Sequence, residues 1–233
     1  GLYTKEIPYF TGTHIFKADP IVIEKLKEHN KLLKNNKLTH SYPHSWRSKA
    51  PLIYRATPQW FISMKKNNLR EKAVKAINET IFYPNKGKDR LLSMVEGRPD
   101  WCVSRQRVWG VPLPIFINKK TKEPLKDQKV IDRIASIYEK QGSDCWFTDD
   151  PKVFLGDNYN SSDYEKLQDI VEVWFDSGST HSFVLEKRKD LKWPADMYLE
   201  GSDQHRGWFH SSLLEACGTR GKAPFKSILS HGF

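Results

Sequence analysis

The sequence predicts an α/β chain built on a parallel sheet, and three observations carry that expectation. In the last quarter, a short apolar strand over Asp196 to Leu199, a helix over Asp203 to Thr219 and a strand over Phe225 to Leu229 follow one another. Their total span, roughly 35 residues, is that of a right-handed β-α-β crossover. Two upstream stretches carry apolar residues at helical spacing: Leu69, Ala73, Val74 and Ile77, then Val130, Ile131, Ile134 and Tyr138. Between these parts, Ile170-Val-Glu-Val-Trp-Phe-Asp176 alternates as a strand does. One and a half crossover units cannot bury both faces of a sheet, so this part is expected to need a partner half.

The remaining elements follow in chain order. Asp19 precedes Pro20 and an apolar run of Ile21, Ile23, Leu26, Leu32 and Leu33. That pattern predicts a helix from about residue 20 to 34, with Asp19 as cap and Pro20 in the first turn. Prolines punctuate the short aromatic runs from Ser41 to Arg55, as in extended segments linking two bodies, which places a junction near residues 45–65. A helix is expected from Leu69 to Ile81 and another from Asp127 to Gln141, the latter closed by Gly142. The polar tracts Asn118 to Lys129 and Gly156 to Lys166 read as loops or a small insertion. There is no internal repeat and no low-complexity segment.

The formal charge of +10 and the 12% aromatic content permit an anionic partner, nucleic acid being the commonest. Because Lys and Arg are scattered, composition weighs nucleic acid and a merely basic surface evenly. Cys102, Cys145 and Cys217 lie far apart with no Cys-x-x-Cys pair, which argues against a zinc ribbon and a disulfide framework and fits a reducing, cytoplasmic setting. No apolar stretch approaches the roughly 20 residues of a membrane span, so a soluble chain without a membrane partner is expected. The start at Gly1-Leu-Tyr-Thr, without an initiator Met, is expected to be a cut.

Tyr198-Leu-Glu-Gly-Ser-Asp-Gln-His-Arg-Gly-Trp208 falls where a strand ends and a helix begins, the place where open α/β sheets bind ligands. Gly201 lets a ligand approach the backbone, the helix amides favour a phosphate, and Glu200 and Asp203 suit an ammonium group or ribose hydroxyls. Equally, Asp203 is a good helix cap and Glu200 a solvated strand end; mechanics alone leaves the two readings even. A lone tryptophan is more often core than pocket wall. His40, His44, His181, His205, His210 and His231 show no tight metal-ligand spacing, and surface or supporting histidines are the better reading than a metal-dependent hydrolase.

Glu200-Gly-Ser-Asp-Gln-His-Arg-Gly-Trp-Phe209 resembles the adenylate-binding strand-turn-helix of isoleucyl-tRNA synthetases, which are class I aminoacyl-tRNA synthetases. Val173-Trp-Phe-Asp-Ser-Gly-Ser-Thr-His181 resembles the Trp-Phe-Asp-Ser segment of that family, and Arg98 to Pro112 the segment opening the second half of its catalytic domain. Arg47, Arg55 and Thr57-Pro-Gln-Trp-Phe61 resemble the ribbon returning from its inserted editing domain.

The resemblance implies a C-terminal half of a Rossmann-like parallel-sheet catalytic domain preceded by the tail of a β-rich editing (CP1) domain. Residues 1–50 would be that tail, 51–66 the connecting ribbon, and 67–233 the catalytic half with a small insertion at about 118–166. It implies that Glu200, Gly201, Asp203 and Gln204 contact the aminoacyl-adenylate, that Trp109 and Trp208 wall the amino-acid pocket, and that His231 sits near the nucleotide. Such a pocket separates isoleucine from valine weakly, since one methylene is worth only about 1–3 kcal/mol, a figure for which this family is itself the usual example.

Implied with it are ATP as substrate with Mg2+, no zinc in this segment, and tRNA(Ile), isoleucine and the rest of the polypeptide as partners in a monomeric enzyme. The His-Ile-Gly-His motif, the Lys-Met-Ser-Lys-Ser loop and the editing core have no counterpart, so no catalytic residue is expected here and the chain alone is expected to be inactive. Two alternatives stay open: a valine or leucine enzyme of the same class, and a non-catalytic tRNA-binding module, whose affinity would fall steeply with salt.

Overall fold

Helical spacing of apolar residues and short aliphatic or aromatic runs divide the chain into elements much as the sequence suggests. The computed structural model describes residues 1–233 and separates into two units, Gly1–Pro58 and Gln59–Phe233.

The first unit contains one α-helix, α1 (Asp19–Glu28). Pro20 occupies the first turn, but Ala18 takes the capping position in place of Asp19, and the helix stops at Glu28 instead of near residue 34. Asn30 has φ 55°, a left-handed conformation that ends helices, and Leu33 beyond it is fully exposed. The rest of the unit forms isolated bridges, Leu2 with His14 and His44 with Pro51, and Ala18 is its one buried residue.

The second unit runs β1 (Phe61–Ile62), α2 (Leu69–Glu79), β2 (Ile81–Tyr83), α3 (Lys86–Glu96), β3 (Trp101–Cys102), β4 (Ser104–Arg105), β5 (Phe116–Asn118) and α4 (Gln128–Gln141). It continues with α5 (Cys145–Thr148), α6 (Pro151–Leu155), β6 (Tyr164–Lys166), β7 (Ile170–Val171), α7 (Val173–Gly178), β8 (Tyr198–Gly201), α8 (Trp208–Arg220) and β9 (Ser227–His231). β2, β9 and β8 form a parallel sheet in that order, with β8-α8-β9 as the expected crossover.

Register explains how this sheet is covered. Phe82, Ile228 and Tyr198 lie side by side on one face and are all buried, joined in one core by Ala73 and Ile77 of α2, Leu91 and Val95 of α3, and Phe209, Leu213 and Leu214 of α8. Each fully buried Leu, Ile or Phe contributes about 1.5–3 kcal/mol there. The adjacent row, Tyr83, Leu229 and Leu199, points to the opposite face, where Tyr83 and Leu199 are half exposed, as is Ile81.

Three expectations need correction. The run Ile170–Asp176 is a strand only at Ile170–Val171, and from Val173 it is the helix α7, with Glu172 in the capping position. Glu172 is held there by long-range partners: it accepts a short hydrogen bond from Trp101 Nε1 and pairs with Arg105 at 2.6 Å. The tract Gly156 to Lys166, expected as loop or part of a small insertion, is not all loop: it contains β6, which pairs antiparallel with β5. These two strands and α4, α5 and α6 close over a separate small core of Phe116, Val130, Ile134, Trp146, Phe154 and Leu155. The helix expected from Asp203 is a 3-10 turn over Ser202–His205, and α8 begins only at Trp208.

Candidate functional site

Parallel strands aim their carboxyl ends the same way, so the residues after β8 and β9 meet at one sheet edge. Gly201 stands opposite His231, and Glu200 opposite Ser230. Of the sequence-nominated residues, Glu200, Gly201, Asp203, Gln204, Trp208 and His231 therefore gather at the end of β8 and β9, in the turn and at the start of α8. Glu200, Asp203 and His231 are exposed there, and Gly201 is buried.

The turn is organised from within. The Trp208 backbone N–H donates to Gln204 Oε1 at 2.9 Å, and Gln204 Nε2 donates to Asp203 Oδ2 at 3.2 Å. Gln204, and not Asp203, thus satisfies the first amide of α8, a capping role that sequence reasoning gave to Asp203 as the alternative to ligand binding. At Gly201 the neighbours come close: a Cβ there would lie 2.5 Å from Phe233 Cζ and 2.8 Å from Asp203 Oδ1, both side-chain ends that would have to move aside.

The two tryptophans do not share a pocket wall. Trp208 stacks on Tyr198 with ring centroids 4.0 Å apart, and its Nε1 donates to the Ser177 carbonyl at 3.0 Å. Trp109 is 92% exposed and lines a recess with Arg105, Arg107, Trp174 and Asp176 that Trp208 does not line. Trp174 connects this recess to the turn, because a Cβ on Gly207 would lie 3.0 Å from its Cη2. Sequence reasoning read Trp174 as a strand residue and missed its place beside the turn. The Asp176 carboxyl in that recess is raised above its ordinary value by burial and, secondarily, by Glu172.

Of the histidines expected in surface or supporting roles, three are not at the surface. His181, His205 and His210 are buried, and burial lowers the pKa of each, that of His210 to about 3. A cleft of about 530 Å³ lies elsewhere in the unit, lined by Trp101, Phe175, His181 and Glu215 among others, and holds none of the nominated site residues. Burial pushes the Glu215 carboxyl up to about 9, with Asp176 and Glu172 adding to the shift. No group of three or more His, Cys, Asp or Glu side chains is placed to hold a metal ion. No helix is long and apolar enough to cross a membrane.

Open α/β sheets bind their ligands at such a carboxyl edge, where this chain carries the exposed Glu200 and Asp203. The chain belongs to the class I tRNA synthetases (I, L, M and V), whose family model matches residues 5–233. Within that class it is 73% identical over 233 residues to the isoleucine–tRNA ligase of Pelagibacter ubique, covering 100% of this chain and 26% of that protein. It is 53% identical over 234 residues to the isoleucine–tRNA ligase of Dichelobacter nodosus, covering 100% of this chain and 25% of the relative. The chain thus spans about a quarter of the length of the curated relatives it matches. Among solved structures it is similar to Mycobacterium tuberculosis methionyl-tRNA synthetase bound by methionyl-adenylate, with TM-score 0.47 and 15% identity over 84% of this chain and 30% of that one.

Proposed function

We propose that the chain supplies the adenylate-binding wall of an isoleucine–tRNA ligase, which joins isoleucine to tRNA(Ile) at the expense of ATP. The observation that carries this is the turn from Glu200 to Trp208 at the carboxyl edge of β8 and β9, in a chain 73% identical to a named isoleucine enzyme. Glu200 and Asp203, both exposed, offer carboxylates to the substrate ammonium group and the ribose hydroxyls. Gly201 lets the adenylate lie against the strand end, and Gln204 holds the turn rigid by capping α8 while remaining within reach of the same ligand. Trp109, with Trp174 beside it, walls the aliphatic side chain, and Trp208 supports that wall through Tyr198 and Ser177. His231, opposite Gly201, lies on the nucleotide side.

The half-exposed apolar row on the open sheet face supports reading residues 67–233 as the C-terminal half of a Rossmann-like domain, covered in the whole protein by the other half. Residues 1–50 are read as the tail of the editing domain and 51–66 as its ribbon. The whole enzyme is a cytoplasmic monomer. Mg2+ accompanies ATP in the whole enzyme, and the chain offers it no set of three His, Cys, Asp or Glu donors. With no histidine or lysine motif to stabilise the phosphates, the chain alone performs no adenylation.

The test is amino-acid-dependent pyrophosphate exchange by the full-length polypeptide that carries this sequence. Isoleucine is expected to be preferred; a preference for valine or leucine refutes the isoleucine assignment.

A further inference from the structure

A second cavity, about 470 Å³, opens between the end of α3 and the start of α8. Its polar side chains are Ser93, Arg98, Arg206 and His210, and no carboxylate lines it. His210 is 3% exposed, and both of its ring nitrogens lack a hydrogen-bond partner. The His205 carbonyl lies near enough to favour the imidazolium slightly but is not placed to accept a hydrogen bond. Arg98 Nε is likewise buried and unpartnered; the Arg98 guanidinium lies over the Trp101 ring at 5.4 Å. Neither Arg98 nor Arg206 forms an ion pair within 4.0 Å.

Buried donors left without acceptors are rare; Glu172 lies near enough to favour the charge on Arg98, but it forms no ion pair with it and does not line the cavity. We propose that Arg98, Arg206 and His210 form a binding site for a phosphate group. A guanidinium offers a planar pair of donors matched to two phosphate oxygens, and a buried imidazole adds a further donor. The same convergence explains why His210 stays neutral: burial first, then Arg98 and Arg206, hold its pKa down to about 3. An anion between them reverses the two cationic contributions, so binding is accompanied by proton uptake at His210. The cavity has room for more than one phosphate, so the group comes either from free phosphate or pyrophosphate, or from a phosphodiester of RNA. Arg206 belongs to the same turn as the nominated adenylate contacts, but none of Glu200, Gly201, Asp203 and Gln204 lines this cavity, and the inference does not rest on the isoleucine reading.

The test uses the full-length polypeptide and the variant Arg206→Gln. Arg206 is exposed and its side chain makes no hydrogen bond, its backbone N–H alone donating to the Asp203 carbonyl, so replacing the side chain leaves the fold intact, which thermal unfolding verifies. Equilibrium dialysis measures labelled inorganic phosphate and pyrophosphate in one arm and a short oligoribonucleotide without terminal phosphates in the other. Loss of one equivalent of phosphate or pyrophosphate, or at least a roughly tenfold weaker affinity, in Arg206→Gln supports the site with a free anion as its source. A comparable loss confined to the oligoribonucleotide supports it with a phosphodiester as its source. Arg98→Gln is expected to reproduce whichever loss is seen, and Arg98→Lys to recover part of it. Unchanged binding of all three probes in both Arg→Gln variants overturns the proposal.

Discussion

Replacing Glu215 with Gln is expected to stabilise the protein, and increasingly so as pH rises. Glu215 is 9% exposed, and its Oε1 has no hydrogen-bond partner where it packs against Gly178 of α7. Its pKa is pushed from 4.5 up to about 9, first by burial and then by Asp176 and Glu172. Between those two values the native carboxyl keeps its proton while the unfolded one has lost it. The native state then holds more protons, so stability falls as pH rises through this window and levels off above it. At pH about 7.5 the shift spans roughly three units, a ceiling of about 4 kcal/mol; allowing for water in the adjoining cleft, about 2–4 kcal/mol is expected. Gln has nearly the same shape and does not ionise, so Glu215→Gln removes this cost. Urea unfolding of parent and variant at several pH values is the assay. The midpoints should coincide near pH 5 and separate in favour of the variant toward pH 8. A difference independent of pH, or a variant weaker at every pH, refutes the reasoning.

Further outcomes follow from the site. Gly201→Ala places a methyl group against the movable ends of Phe233 and Asp203, so the thermal midpoint should hold while pyrophosphate exchange by the full-length protein falls about tenfold or more. Gln204→Ala removes the acceptor for the Trp208 N–H and should cost about 1 kcal/mol in urea unfolding. Trp208→Ala, which breaks the Tyr198 stack, should cost about 3 kcal/mol. Exposed Trp109→Ala should cost less than about 0.5 kcal/mol but raise KM for isoleucine in the same exchange assay. His210, held down to about 3 from 6.5, withholds a proton that the unfolded chain accepts, so stability falls as pH drops through that window. His210→Gln should flatten this acid-side slope in the unfolding midpoint.

Elements with long, regular apolar spacing were legible in the sequence: α2, α4 and the β8-α8-β9 crossover stand close to where Leu69, Val130 and Tyr198 place them. Local pattern failed where distant partners decide. The alternation of Ile170 to Asp176 fits a strand as well as any seven-residue run does, but Glu172, tied to Trp101 and Arg105, ends β7 and starts α7. That change of element is why Trp174 was missed beside Gly207. β2 is only three residues long, too short for its alternation to register, and α3 follows it directly after Pro84 and Asn85; neither was read from the sequence, although β2 supplies one edge of the sheet. In the site, the turn from Glu200 to Trp208 was legible as one continuous motif. The capping role of Gln204 and the burial of His210 were not, since both depend on packing around α8. Arg98 and His210 face one cavity from distant parts of the chain, and nothing local marks the pair.

The central claim is that the turn after β8 holds an isoleucyl-adenylate. A crystal structure of the full-length polypeptide with a non-hydrolysable isoleucyl-adenylate analogue tests it most directly. The analogue is expected against Glu200, Gly201, Asp203 and Gln204, with its aliphatic group toward Trp109 and its nucleotide toward His231. An analogue seated instead in the cleft lined by Trp101, His181 and Glu215, or one leaving the turn untouched, would contradict the account.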